Sequence, residues 1–456
     1  MAAKLMKVDE AAPAAVKPPS AEPALRVGII LEEDAKQQVT FTCPGQARLR
    51  RSDGVEFELE SGRRYTAVVE SGACRMRGGP AELDLGGAAF TVREGHETEV
   101  APGSGIKVEH IVAGRGFHWQ KEISQTLPGT LEFLPLPDRI VLINTIGLEF
   151  YVKCVLASEM SGRECPPAFA KAQATAARSW ARVFLGSKYP GKPYQLCNDD
   201  FSQRYQGTTH LSRYAIEAVE ECRGDYLLTA AGDVCPAYYS KSCGGHGESI
   251  RNLFGFDAPG VDASWDAADP CAFDLSGESD FARWLAAGRE RFFCGRVDER
   301  SLPRYLGAVD ESGCYFRWEH ATPAQTIARK LSERCGLEGV RAIRALVPGR
   351  RGVSGRVLTL TVEYLDARGR LQEIVLGDQF YIRACLHDSF LYSSAFLMST
   401  ESDGEGSVRE VHFSGAGWGH GGGLCQIGAL GMALAGHEYA EILQHYFPSA
   451  VLTKSY

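Results

Sequence analysis

Three groups of residues in this 456-residue chain combine types and spacings that do chemistry. The first is a single carboxyl. With Leu148 to Met160 read as helix, Leu148, Tyr151, Val152, Val155 and Glu159 share one face, and Glu159 ends that apolar stripe. Partial desolvation and the negative end of the helix dipole both favour its neutral form, as a general acid requires. The same spacing also allows Glu159 to fray into solvent with Ser158 and Ser161. The second group is the run Gly415 to Ala429, which holds six glycines by Gly423 and then Cys425 and Gln426. Glycines let backbone approach a ligand closely, and His420, with glycine on both sides, reads as presented rather than buried. A phosphate loop fails, because no Lys followed by Ser or Thr comes after the glycines. Cys425 with His420 offers a thiol nucleophile at a helix start, against the plainer reading of a small packed residue. The third group is Cys235, Cys243 and His246, ligand types that zinc accepts, with His210 or Cys222 as additional ligands. Packed cysteines beside a Gly-Gly turn are the plainer alternative.

The elements that must position these residues are legible in outline. After the Glu159 helix, Pro166 and Pro167 open a second helix and Gly186 closes it. Phe169, Gln173, Ala176, Trp180 and Phe184 share a face, so Gln173 interrupts an apolar stripe and needs partners. Lys171, Arg178 and Arg182 fall on a different face and read as solvated. The stretches YLLT and VCPAYYS read as strands that lead into Cys243 and His246.

The chain as a whole reads as α+β, in several parts. Residues 1–24 form an Ala/Pro-rich flexible leader, and residues 25–117, with LRVGIIL, QVTFTC and VEFELESGRRYTAVVES, a small β domain. Residues 118–456 form a mixed sheet-and-helix core, in which 256–348 (FARWLAAGRERFF, ATPAQTIARKLSERCG) is a helical insertion or subdomain. Strand signals return in LTLTVEYL. A net charge of -8 argues against a nucleic-acid partner. No segment reaches the roughly 18 consecutive apolar residues of a membrane span. Asp9 and Glu10 stand where the apolar part of a secretion signal would lie. The fourteen cysteines lack the dense spacing of a disulfide framework.

Taken together, FYVKCVLASEM with FAKAQATAARSWA, then SGRVLTLTVEY with FYIRACL, then GWGHGGGLCQIGA resemble the SpoIID/LytB family, in the family's order from about Phe150 to the C-terminus. That family includes peptidoglycan lytic transglycosylases of sporulation and proteins called amidase enhancers. The resemblance implies that Glu159 is the catalytic acid/base and that Gln173, His420 and Gln426 line or support a glycan cleft. It implies cleavage of the bond between N-acetylmuramic acid and N-acetylglucosamine with a 1,6-anhydro product, and alternatively a non-catalytic, glycan-binding enhancer of a partner amidase. Peptidoglycan strands are then the partner, in the cell envelope or periplasm, and no cofactor is required. Departures are Cys425 and Ile427 around Gln426, and Ser240 where some members carry a histidine. A zinc site of the family's kind would draw on Cys243 and His246 instead. No second acid has a placement comparable to Glu159, and Asp199 and Asp200 are candidates for the second carboxylate of a hydrolase only by default.

Overall fold

The computed structural model describes residues 4–6, 12–94, 101–117, 119–160, 164–307 and 314–456. The class is α+β, and the chain divides into two compact units. One comprises Pro13–Tyr226 with Pro303–Asp310 and Thr453–Tyr456; the other comprises Met1–Ala12, Leu227–Leu302 and Glu311–Leu452. No helix among the described residues is long and apolar enough to cross a membrane.

The first unit is built on two sheets. Six strands, in the spatial order Lys121–Leu127, Ile106–Ala113, Gln38–Thr42, Arg64–Glu70, Ala73–Arg77 and Leu83–Gly86, form one. Seven form the other, ordered Leu196–Cys197, Ala24–Ile30, Ile140–Gly147, Thr130–Pro135, Phe90–Glu94, Ala47–Arg51 and Glu56–Leu59. Phe41 of the first sheet meets Phe133 of the second at 5.4 Å between ring centres, and Phe133 stacks on Phe90 at 4.7 Å. The expected domain boundary at Phe117 therefore falls between two paired strands, since Val112 lies opposite Glu122. Alternating strands announced the sheets, but the pairing of Ala24–Ile30 with Ile140–Gly147 crosses more than a hundred residues of chain and leaves no local mark.

The strand Ile140–Gly147 runs directly into helix α1, Leu148–Glu159. Residue Gly147 supplies no capping side chain, and Glu22 replaces it: its Oε1 accepts the Glu149 N–H at 3.0 Å. Glu22 also pairs with Arg223, and Pro19 accepts from Ser455. Part of the expected flexible leader is thus bound into the unit, because a helix N-terminus requires an acceptor. Helix α2, Pro167–Phe184, packs against α1, and α3, Arg213–Glu221, packs against both.

The α1–α2 crossing contains a buried ion pair. Arg178, with 0% of its surface exposed, donates to both carboxylate oxygens of Glu149 at 2.6 and 2.9 Å. Tyr456 Oη adds a bond to Glu149 at 2.6 Å, and Arg178 also donates to the Asp225 carbonyl at 3.2 Å. Arg178 is therefore not on a solvated face, whereas Lys171 on that stripe pairs with Glu221 at 3.1 Å. Burial alone would raise the Glu149 pKa, but the Arg178 bonds outweigh it and hold the carboxyl below its ordinary value.

The second unit holds a sheet ordered Lys4–Met6, Leu371–Leu376, Leu360–Leu365 and Ala342–Pro348, and another ordered Arg317–Pro323, Val408–Ala416 and Phe396–Ser402. The helix Ala324–Cys335 covers them, burying Ile327 and Leu331 with Ile343, Val362, Ile374 and Phe413. The segment 256–348, expected to be helical, thus contributes two strands. RWEHATP continues as strand up to Pro323, which precedes the helix rather than lying inside it.

Replacing Arg178 by Met leaves Glu149 buried without its cation and should cost about 3–5 kcal/mol in denaturant unfolding, with much of the loss recovered when Glu149→Leu is added. Because the folded pKa of Glu149 is depressed, its contribution is complete above the ordinary glutamate range and disappears as pH falls through the lower folded value. An acid titration of stability should show this loss in wild type and not in the double variant.

Candidate functional site

The last residue of α1 is Glu159, which is half-buried, while Leu148, Tyr151, Val152 and Val155 of its stripe are fully enclosed. The segment Gln203–Gln206 lies across the end of the helix. The Arg204 N–H donates to Glu159 Oε1 at 3.2 Å, the Gln206 N–H donates to Ser158 Oγ at 3.1 Å, and Tyr205 stacks on Tyr151 at 5.2 Å. The Gln203 Nε2 ties the same segment to the Ala177 carbonyl of α2 at 3.2 Å. Glu159 does not fray: its carboxylate takes a backbone donor, with the apolar stripe below it.

Aromatic rings border this region. The Arg204 guanidinium lies over the Trp119 ring at 4.4 Å, and Phe201, 37% exposed, packs on Phe117 at 5.3 Å. The two candidate second acids are both held by arginines. Asp200 accepts from Arg204 at 3.3 and 3.4 Å. Asp199 is buried against Arg115, which also holds Asp34 at 2.5 and 2.7 Å and Asn198 at 2.8 Å. Burial raises the Asp199 pKa, with Arg115 opposing that rise. The site candidate on α2, Gln173, is 0% exposed, and neither atom of its amide has a hydrogen-bond partner among the described residues. It belongs to the packed interior of the same unit as Glu159.

The glycine-rich run belongs to the second unit. Its backbone is threaded against the strand Tyr239–Ser240 and the turn after it: Leu424–Cys425 pairs parallel with that strand, and Ser242 and Trp418 exchange two backbone bonds at 2.9 Å. A Cβ on Gly423 would lie 1.9 Å from the Tyr238 carbonyl, and one on Gly421 would lie 2.3 Å from the Arg356 guanidinium. The glycines thus serve a backbone-to-backbone approach inside the fold. His420 is half-buried between Tyr238 and Phe254. Its Nδ1 accepts the Gly422 N–H at 3.0 Å and the ring also bonds to the Tyr239 backbone, so the neutral Nε2–H tautomer fits. Burial, with Arg356 and Arg383 nearby, pushes its pKa down to about 3. The expected presented histidine is a packed, neutral one.

After this run, Gln426 is 2% exposed and opens the helix Gln426–Leu434, whose N-cap is Cys425. The Cys425 Sγ takes N–H bonds from Gly428 at 3.3 Å and Cys243 at 3.2 Å and meets the Cys243 and Cys294 thiols, while the His420 ring bonds to Gly422 and Tyr239. The thiol-nucleophile reading loses its base.

The ligand set read from spacing separates. Cys235 packs against Gly260, and His246 Nδ1 bonds to the Gly247 carbonyl at 2.6 Å beside Trp265. His210 and Cys222 lie in the other unit, Cys222 against Arg178. Cys243 instead joins Asp266, Cys294 and Cys425, all four buried, with one ligand atom from each within 4.8 Å of the others. Spacing could not find this group, because Cys243 and Cys425 are 182 positions apart. Arg204 was equally hidden, since QRYQ has no period that marks a donor to Glu159.

Residues 137–228 match the family model described as stage II sporulation protein, SpoIID, and residues 257–423 match one described as a domain of unknown function, DUF8618. An uncharacterized protein of Brachyspira hyodysenteriae is 25% identical over 357 residues, covering 75% of this chain and 78% of that protein. The amidase enhancer of Bacillus subtilis is 24% identical over 287 residues, covering 62% of this chain and 37% of that protein. The segment that matches the stage II sporulation protein family, 137–228, carries α1, α2 and the Gln203–Gln206 clasp around Glu159.

Proposed function

We propose that the protein is a peptidoglycan lytic transglycosylase in which Glu159 is the single general acid and base. The observation that carries this reading is the fixed, half-exposed Glu159 carboxyl at the end of α1, beside two acids already engaged by arginines. A glycoside hydrolase needs a second carboxylate to activate water or to attack the sugar. Asp199 is buried on Arg115 and Asp200 is paired with Arg204, so neither is free for that work. One carboxyl suffices when the nucleophile belongs to the substrate.

In the proposed reaction, protonated Glu159 gives its proton to the glycosidic oxygen as the bond from the muramoyl C1 to that oxygen breaks. The muramoyl C6 hydroxyl then adds to C1 and its proton passes to the Glu159 carboxylate. No water is consumed, and the carboxyl returns to its starting form. The Arg204 N–H sets the direction of the carboxylate, and Trp119, Phe117 and Phe201 offer apolar faces for sugar rings. Gln173, fully buried in the same unit, supports the framework of α2. His420 and Gln426 hold the glycine-rich run of their own unit.

Mass spectrometry of products from denuded glycan strands tests the proposal. Wild-type protein should release 1,6-anhydromuramoyl products, and Glu159→Gln should lower their formation by at least about a hundredfold with the fold intact. Cleavage retained in Glu159→Gln rejects the assignment. Wild-type protein that binds strands without cleaving them, yet stimulates an added amidase, would instead support the reading suggested by the relative named amidase enhancer. Asp199→Asn should unfold at a lower temperature while its folded fraction still forms anhydro products. Loss of those products in folded Asp199→Asn would overturn the single-carboxyl mechanism.

A further inference from the structure

Cys243, Asp266, Cys294 and Cys425 come from four separate stretches of the second unit. Cys243 follows the strand Tyr239–Ser240, Cys294 sits in the short helix Phe293–Arg296, and Cys425 caps the helix Gln426–Leu434. All four are buried, and their ligand atoms lie within 4.8 Å of one another. A tetrahedral zinc centre with Zn–S near 2.3 Å places its ligand atoms roughly 3.5–3.8 Å apart. The group requires only small adjustments to reach that spacing.

Backbone amides are aimed at two of the three sulfurs. Backbone N–H groups of Cys243 and Gly428 point at the Cys425 Sγ at 3.2 and 3.3 Å, and the Gly245 N–H points at the Cys243 Sγ at 3.3 Å. Amides aimed at sulfur are the outer shell that orients thiolate ligands. Asp266 is oriented in the same way: Oδ1 accepts from Tyr446 Oη at 2.5 Å and Oδ2 from the Cys294 N–H at 2.7 Å, and each oxygen retains a lone pair.

Charge gives an independent indication. Arg356 is fully buried and donates to the Cys243 carbonyl at 3.4 Å and to Ser354 Oγ at 2.9 Å. Arg317 donates to the Gly244 carbonyl at 2.7 Å, and its other hydrogen bonds also end on carbonyls, of Leu285, Phe316 and Trp284. Arg317 therefore stands beside the group with carbonyls as its acceptors, whereas Arg356 also faces the buried Glu248. A divalent ion held by three thiolates and one carboxylate carries two negative charges, which Arg317 and Arg356 help to offset.

We infer that Cys243, Asp266, Cys294 and Cys425 bind one zinc ion in a closed structural site that fastens the turn after Ser240, the Phe293–Arg296 helix and the start of the Gln426 helix to one another. This site shares only Cys243 with the set Cys235, Cys243 and His246. Four protein ligands leave no position for water, so the ion stabilises the fold and takes no part in the Glu159 chemistry.

Elemental analysis of the full chain purified from zinc-containing medium should find about one zinc per molecule, and cobalt exchanged for it should give the tetrahedral thiolate-to-cobalt spectrum. Cys294→Ser should weaken zinc binding by at least about a hundredfold, while Cys235→Ser, outside the group, should leave stoichiometry and spectrum unchanged. Should Cys294→Ser fail to fold, the cobalt spectrum of the wild-type chain decides alone. Folded wild-type protein that holds no zinc and gives no thiolate–cobalt bands overturns the site, as does a mapped disulfide between two of the three cysteines. These readouts are independent of glycan cleavage.

Discussion

Arg178 has no exposed surface, and its charge is tolerable there because Glu149 lies across it with both carboxylate oxygens. The pair joins the first turn of α1 to the middle of α2, so the two helices can cross in one register. Glu159 stands at the other end of α1, three turns from Glu149, and its position follows from that register. The Glu22 carboxylate, at the helix N-terminus, and the Gln203–Gln206 segment, at its C-terminus, then hold the two ends. A carboxyl on a rigid helix with a fixed backbone donor is better oriented than one on a loop.

The stripe through Leu148, Tyr151, Val152 and Val155 was readable because it is local and periodic, and the structure buries every one of its members. The same reasoning misplaced Arg178, since a charged residue on a mixed face is read as solvated until its partner is known. That partner lies 29 residues earlier, and Glu149 has the look of any acid in a first helical turn. Periodicity reports which face is apolar; it is blind to a charge satisfied across a helix crossing. In α1 even Lys153 is buried, its ammonium reaching Glu220 of α3.

The glycine-rich run gives a second case in which composition was legible and purpose was not. Six glycines suggest room for a ligand, yet at Gly421 and Gly423 the space is already filled by the Arg356 guanidinium and the Tyr238 carbonyl. Two chain segments approach more closely than any Cβ permits, and His420 closes the turn through the Gly422 N–H. The cysteines followed the opposite path. Their spacing suggested a local trio, whereas the group that forms draws Cys294 and Asp266 from the segment between the two motifs and Cys425 from the last one. Sequence proximity favours the wrong neighbours whenever a site is assembled by tertiary packing.

The two acids read as candidate partners of Glu159 are each held by an arginine. Arg115 stands between Asp34 and Asp199, and Arg204 holds Asp200 with its guanidinium while its own N–H meets Glu159. Arg204 thus separates two carboxylates by function as well as by position, engaging one through an ion pair and orienting the other through a neutral amide. The Arg204 main-chain N–H on Glu159 Oε1 orients that carboxyl without adding a full charge of its own. In the proposed reaction one carboxyl first gives a proton and then takes one back, and a main-chain donor suits both states; its place is set by Tyr205 on Tyr151 and Gln206 on Ser158.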